Sequence, residues 1–241
     1  MAILKMKKKL LSLCFPTYNR GWCMKKQIDR LMLYPKDLLD KIEVIISDNC
    51  STDDTQQIIE SALQQGFECR YIRQTTNIGA DPNFVCCLRN ATGRYVWLLG
   101  DDDILIVDSL FKIIEILDVE KEYGLLHMYQ REGLDGKILF IDNKELVMKY
   151  TSYYITFISA NIVNAKYISS IHFEDYFGTW LMYLPLYLTS IQRENNHIII
   201  GSRIFSESKD YLRNGGYNYF EVFVKNYFSI IQIHVKNDSL F

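Results

Sequence analysis

Apolar residues in the first half of the chain fall into short runs separated by amphipathic stretches. Leu10 to Phe15 reads as a first strand that stops at Pro16, which cannot donate to a sheet ladder. Ile42 to Ser47 is nearly unbroken in its apolar character, the pattern of a strand covered on both faces. Between them, Trp22 to Leu33 has helical spacing and closes near Tyr34-Pro35. A second helix is expected to start in Ser51-Thr52-Asp53-Asp54, whose short oxygen-bearing side chains cap exposed amides, and to run through Ile58, Ile59 and Leu63. Glu68 to Arg73 makes a third strand, Gln74 to Ala80 a polar loop and Asp81 to Ala91 a helix. Gly93 then turns the chain into a fourth strand, Tyr95 to Leu99. This alternation predicts right-handed β-α-β units, hence an α/β fold with a mostly parallel sheet flanked by helices.

The pattern changes further along. Val107 to Leu117 suits a helix, and Leu125 to Tyr129 with Lys137 to Ile141 suits two strands joined across the Gly133 to Gly136 turn. From Tyr150 onward aromatics become dense and charges sparse, and helices are expected over Asp175 to Ile191 and Tyr219 to Ile233. The chain thus divides into residues 1–120 and a helix-rich, aromatic-rich elaboration over 121–241, within one continuous domain. The 241 residues suffice for that, and 49% hydrophobic with 23% charged residues is the balance of an ordinary folded protein. A net charge of −2 gives no reason to expect nucleic acid as a partner. The six cysteines form no Cys-x-x-Cys pair, which fits reduced thiols in a cytoplasmic protein. The lysine-rich start lacks a small-residue cleavage site and runs directly into Pro-Thr-Tyr-Asn, so export is not expected.

Open α/β sheets bind ligands beyond the carboxyl ends of their strands. Four polar segments lie at such ends: Pro16-Thr17-Tyr18-Asn19-Arg20, Asp48-Asn49-Cys50-Ser51-Thr52-Asp53, Asn77-Ile78-Gly79 and Asp101-Asp102-Asp103. Taken alone, the Ser-Thr-Asp-Asp segment reads first as a helix cap. Three adjacent carboxylates after a buried strand repel one another, and a divalent cation that also bridges substrate phosphates removes that cost; an acidic surface turn is the plainer reading of the same run.

The order Phe-Pro-Thr-Tyr-Asn-Arg, Ser-Asp-Asn-Cys-Ser-Thr-Asp-Asp-Thr, Asn-Ile-Gly and Ala-Thr-Gly-Arg-Tyr-Val-Trp-Leu-Leu-Gly-Asp-Asp-Asp resembles the family 2 glycosyltransferases across the first half of the chain. Phe157-Ile158-Ser159 and Phe177-Gly178-Thr179-Trp180 are similar to a subgroup in surface-polysaccharide synthesis that includes abequosyltransferase-like enzymes. The resemblance implies a GT-A fold, a nucleoside diphosphate sugar donor and inverting transfer to a glycan or lipid-linked saccharide. It implies a donor site in residues 1–120 built from Pro16, Thr17, Tyr18, Asn19, Asp48, Asn77, Gly79 and Asp101, with Asp48 accepting from the base. It further implies that Asp101, Asp102 and Asp103 form the D-x-D region for Mn²⁺ or Mg²⁺, with Asp102 closest. In the commoner family pattern Asp-Ala-Asp-Asp follows this strand, and aligned without a gap its first Asp falls on Gly100.

Such a reaction also needs a base, which the family takes from an acidic residue downstream. Asp175 is nominated first and Glu174 second, though a helix N-cap accounts for the same pair. Arg213-Asn214-Gly215-Gly216 reads either as a cationic turn closing over the diphosphate or as a plain loop. The aromatic runs around Tyr150 to Tyr154 and Tyr217 to Phe220 suit stacking on sugars, peripheral contact with the inner face of the membrane, or core packing. A sugar nucleotidyltransferase is disfavoured because no glycine-rich phosphate loop follows strand one. A non-catalytic nucleotide-sugar-binding protein is the reading from another class.

Overall fold

The computed structural model describes residues 8–130, 132–202, 204–207 and 218–236; the Arg213 to Gly216 turn lies outside them. Strand β1 (Leu11–Thr17) is followed by α1 (Gly21–Leu31), α2 (Lys36–Leu39), β2 (Ile42–Asp48), α3 (Thr55–Gln64), β3 (Arg70–Arg73), α4 (Ala80–Asn90) and β4 (Tyr95–Leu98). Next come β5 (Asp103–Leu105), α5 (Ser109–Leu117), β6 (Leu125–Met128), β7 (Ile138–Ile141) and α6 (Lys144–Thr151). Strand β8 (Asn161–Asn164), α7 (Leu184–Arg193), β9 (His197–Ile200), β10 (Phe205–Glu207) and α8 (Tyr227–Lys236) complete the described elements, with short 3₁₀ turns between α6 and α7 and a π turn, Glu221–Asn226, leading into α8.

The main sheet has the order β3-β2-β1-β4-β8-β6-β9-β7. Its first four strands are parallel, as the β-α-β pattern requires. Burial explains their composition. Leu11, Leu13 and Phe15 pack into one layer with α1 and α5, and Cys14 faces the opposite layer with α4 and α7. Tyr95 and Trp97 alternate in the same way with Val96 and Leu98. Both faces of β1, β2 and β4 are covered, so these three strands are largely apolar, whereas β3 at the sheet edge is Arg-Tyr-Ile-Arg and partly exposed.

Four expectations change. Pro16 is inside β1 rather than beyond it; the ladder to β4 ends at Cys14 opposite Leu98, so Pro16 lies past the last rung on that side. Strands β6 and β7 do not form a hairpin, because β9 lies between them. The Gly133 to Gly136 turn bonds instead to the end of β9, Gly136 donating to the Gly201 carbonyl at 2.8 Å and Gly201 to that of Lys137 at 2.9 Å. The expected helix over Asp175 to Ile191 begins only at Leu184, since Gly178 and Trp180 hold φ of 81° and 65°, outside the helical region. Besides the two expected strands, β6 and β7, the second half adds β8 and β9, for which no strand was expected, to the same sheet. Among the described residues no helix is long and apolar enough to cross a membrane.

Candidate active site

The carboxyl ends of β1, β2 and β4 and the start of α4 enclose a polar cavity of about 610 Å³. Pro16, Thr17, Tyr18, Arg20, Asn77, Gly79, Asp101 and Asp102 line it, joined by Asn49, Asn83, Phe84 and Ile158. Six of the eight residues that the resemblance implied for the donor site, Pro16, Thr17, Tyr18, Asn77, Gly79 and Asp101, thus meet at this wall, together with Asp102 from the acidic run. Two others are not part of its lining. Asp48 is fully buried, accepting from the Ser51 amide and the Tyr71 hydroxyl, each at 2.8 Å, with Arg73 Nε 3.6 Å away. Asn19, at φ 53°, joins two loops: its amide donates to Ser51 Oγ at 2.9 Å and its Oδ1 accepts from the Thr52 amide at 2.7 Å. Asn49 takes the wall position next to Asp48, donating to Asn77 Oδ1 at 2.9 Å and to the Gly79 carbonyl at 3.1 Å.

Asp53 serves the scaffold as well. Its carboxylate accepts from the Thr55 amide at the start of α3 and from the Gly21 amide at the start of α1, both at 3.0 Å. One carboxylate thus satisfies an orphan amide on each of two helices.

The acidic run has three separate environments. Asp101 is buried; Oδ2 accepts from Thr17 Oγ1 at 2.7 Å and Oδ1 from Arg20 Nη1 at 2.6 Å. Burial pushes its pKa up to about 6, against the lowering effect of Arg20 and Thr17. Asp102 remains partly exposed, with Arg20 Nη1 at 3.2 Å from Oδ2. Asp103 is buried at the start of β5, where Ser159 Oγ donates to its Oδ2 at 2.6 Å. Its amide closes the turn onto the Gly100 carbonyl at 3.1 Å, and Gln27 Nε2 donates to its own carbonyl at 2.7 Å.

Gly100 has a steric reason. A Cβ there would lie 2.9 Å from Asp103 Oδ2 and 3.2 Å from Asp102 Oδ1. An acidic side chain at position 100 would also place a third charge among them. A side chain at position 100 would therefore force the Asp103 carboxylate, held by Ser159, to shift.

Among the described residues no three His, Cys, Asp or Glu side chains converge as a ready-made metal nest. A hard divalent ion does not need one when phosphate oxygens and water supply the rest of its shell, for one or two carboxylates then suffice. Asp102 meets that need: it is the least engaged carboxylate of the run and the one that borders both this cavity and the next. The residues present thus fit a cation held jointly with a diphosphate.

The second cavity, about 520 Å³, opens against the first and shares Phe84, Gly100, Asp102 and Ile158 with it. Its other walls are aromatic, with Tyr129, Tyr153, Tyr154, Phe157, Trp180, Tyr183 and Tyr219, and Asp103 is at its edge. Tyr129 and Tyr154 stack at 3.9 Å between ring centroids and Tyr153 adjoins at 4.2 Å. Asp175 and Glu174 do not line either cavity. Both are exposed in a 3₁₀ turn, not at a helix start, and Glu174 pairs with Arg89 at 2.6 Å. Arg20, Asn49 and Ser159 went unassigned in the sequence reading; Arg20 and Asn49 stood inside the quoted segments, and Ser159 inside Phe157-Ile158-Ser159.

The family described as glycosyl transferase family 2 matches residues 12–158. The abequosyltransferase of Salmonella typhimurium is 38% identical over 117 residues, which span 48% of this chain and 35% of that protein's length. The chain thus matches about a third of that relative. The crystal structure of residues 1–349 of S. aureus TarS in complex with UDP superposes with a TM-score of 0.70 at 17% identity, covering 96% of this chain and 67% of that one. A mannosyltransferase from Pyrobaculum calidifontis, solved with GDP-mannose and Mn²⁺, superposes at 0.60 with 14% identity over 97% and 76% of the two chains. The fold is GT-A.

Proposed function

We infer the reaction from family and site together: this chain belongs to glycosyl transferase family 2, and we propose that it moves a sugar from a nucleoside diphosphate sugar to a saccharide hydroxyl with inversion. The observation that carries this reading is the meeting of a polar and an aromatic cavity at Asp102. The polar cavity, built by the first half, suits the nucleotide and diphosphate. The aromatic one, built largely by the second half, suits the acceptor, because stacked tyrosines offer apolar faces to sugar rings and hydroxyls to their edges.

A divalent cation at Asp102, Mn²⁺ or Mg²⁺, would stabilise charge on the departing diphosphate. Thr17 and Arg20 hold Asp101 beside it. Of the two carboxylates bordering the aromatic cavity, Asp102 is given to the cation, which leaves Asp103 to take the acceptor proton. The likeness to a bacterial abequosyltransferase supports a place in surface-polysaccharide synthesis, and a glycan or lipid-linked saccharide is the acceptor proposed. Exposed Trp180, Tyr219 and Phe220 beside the aromatic cavity support a shallow contact with the inner face of the membrane.

The test is a thermal-shift panel of nucleoside diphosphates with and without Mn²⁺, followed by donor turnover of Asp102→Ala. Metal-dependent stabilisation by one nucleotide, lost in the variant together with turnover, is the expected result. Full activity in a folded Asp102→Ala protein would sink the metal assignment.

A further inference from the structure

Arg20 has no role in the reading above beyond holding Asp101, yet its geometry points to one. Its backbone is fixed by the start of α1, where its carbonyl accepts from the Cys23 and Met24 amides, both at 3.0 Å. Its side chain lies in the wall of the polar cavity. There a single nitrogen, Nη1, reaches Asp101 at 2.6 Å and Asp102 at 3.2 Å.

The two contacts are unequal. Asp101 is buried and has a second anchor in Thr17, so its pairing belongs to the fold. The contact to Asp102 is longer and partly solvated on both sides, and a contact of that kind is weak and readily exchanged. A divalent ion drawn to Asp102 would meet a guanidinium already beside the same oxygen, and the two cations repel.

We propose that Arg20 is the resident counter-cation of the acidic turn, keeping Asp102 from binding metal alone and turning to the donor's diphosphate when metal and nucleotide arrive together. This rests on the metal-dependent donor reading given above. A diphosphate carries more negative charge than one divalent ion neutralises, and a guanidinium matches phosphate oxygens with parallel hydrogen bonds. The same residue thus opposes the metal by itself and favours the metal with its nucleotide. Binding of the two is thereby coupled.

A purely structural Arg20 would behave differently: its removal would weaken the site for every ligand. The decisive experiment follows free Mn²⁺ by its electron paramagnetic resonance signal during titration of the wild type, Arg20→Ala and the gentler Arg20→Gln, with folding checked by circular dichroism. Each titration is done without nucleotide and then with saturating UDP, GDP, CDP or dTDP. Without nucleotide, both variants should bind Mn²⁺ more tightly than wild type, on the order of tenfold for Arg20→Ala. With Mn²⁺ present, their affinity for the preferred nucleoside diphosphate should fall by a similar factor. If Arg20→Ala does not fold, Arg20→Gln decides by the same two signs. Equal or weaker binding of Mn²⁺ alone by the folded variants overturns the proposal. Wild type that binds no Mn²⁺ with any of the four nucleotides overturns the metal reading, and this inference falls with it.

Discussion

Ser159 donates its hydroxyl to the Asp103 carboxylate at 2.6 Å across 56 positions of sequence, so a turn preceding β8 sets the last carboxylate of the acidic run. The same oxygen accepts from the Gly100 amide at 2.8 Å. Ser159→Ala would strip a partly buried amide and a buried carboxylate of one partner each. The expected cost is about 1–3 kcal/mol in denaturant unfolding, with kcat reduced at least tenfold as Asp103 loses its fixed orientation. A stability loss without a change in kcat would make this bond scaffolding alone.

Gly100 gives a sharper steric test. Gly100→Asp sets a Cβ 2.9 Å from Asp103 Oδ2 and 3.2 Å from Asp102 Oδ1 and adds a further carboxylate to the turn. Gly100→Ala supplies the clash without the charge. Both variants should melt below wild type, the aspartate lower, and both should lose nucleotide-induced stabilisation. A Gly100→Asp protein with wild-type melting and tighter Mn²⁺ binding would mean that the turn opens to accept a fourth acid.

The first half was legible because its central strands are buried on both faces and their ends break abruptly into polar residues. β1 and β4 show this with Phe15 and Leu98, followed by Thr17 and Asp101. The second half was not, since β9 enters between β6 and β7 through a partner distant in sequence, which no local periodicity encodes. Glu174 and Asp175, nominated for the base, line neither cavity, and the sequence misleads there for a related reason. Glu174-Asp175 looks like a helix start, but the helix is interrupted by the positive φ of Gly178 and Trp180 and begins at Leu184 with Pro185 in its first turn. Asp48 was placed at the right strand end, yet its wall position belongs to Asn49, a difference of one residue that motif order does not resolve.

Two buried groups give opposite pH dependences. His127 is buried with Nδ1 2.8 Å from Asn161 Oδ1 and no hydrogen-bond partner for Nε2 among the described residues, and burial pushes its pKa down to about 4. Unfolded, it takes a proton near pH 6.5, so the unfolded state binds more protons between the two values and stability falls as pH falls, by on the order of 3 kcal/mol at pH 4. Asp101 runs the other way. Its folded pKa of about 6 lies above the unfolded value, so its contribution falls as pH rises through that window. Denaturant unfolding at pH 7, 5.5 and 4.5 should show His127→Asn flattening the acid-side decline and Asp101→Asn steepening it. The same slope in all three proteins would mean that neither group titrates in this range.

The last test separates the two positions for the base. Asp103 borders the aromatic cavity and Asp175 does not, although the sequence favoured Asp175. Asp103→Asn keeps the size of the side chain while removing its basicity, so nucleotide binding measured by thermal shift should persist as kcat drops by about 10²–10⁴-fold. Asp175→Asn should leave kcat near wild type, because an exposed side chain outside both cavities has no path to the acceptor proton. Glu174→Gln should behave likewise, for an exposed pair with Arg89 contributes little. If Asp175→Asn alone abolishes transfer, the turn at Phe173–Tyr176 must reach the cavity when acceptor binds, and the base passes from Asp103 to Asp175.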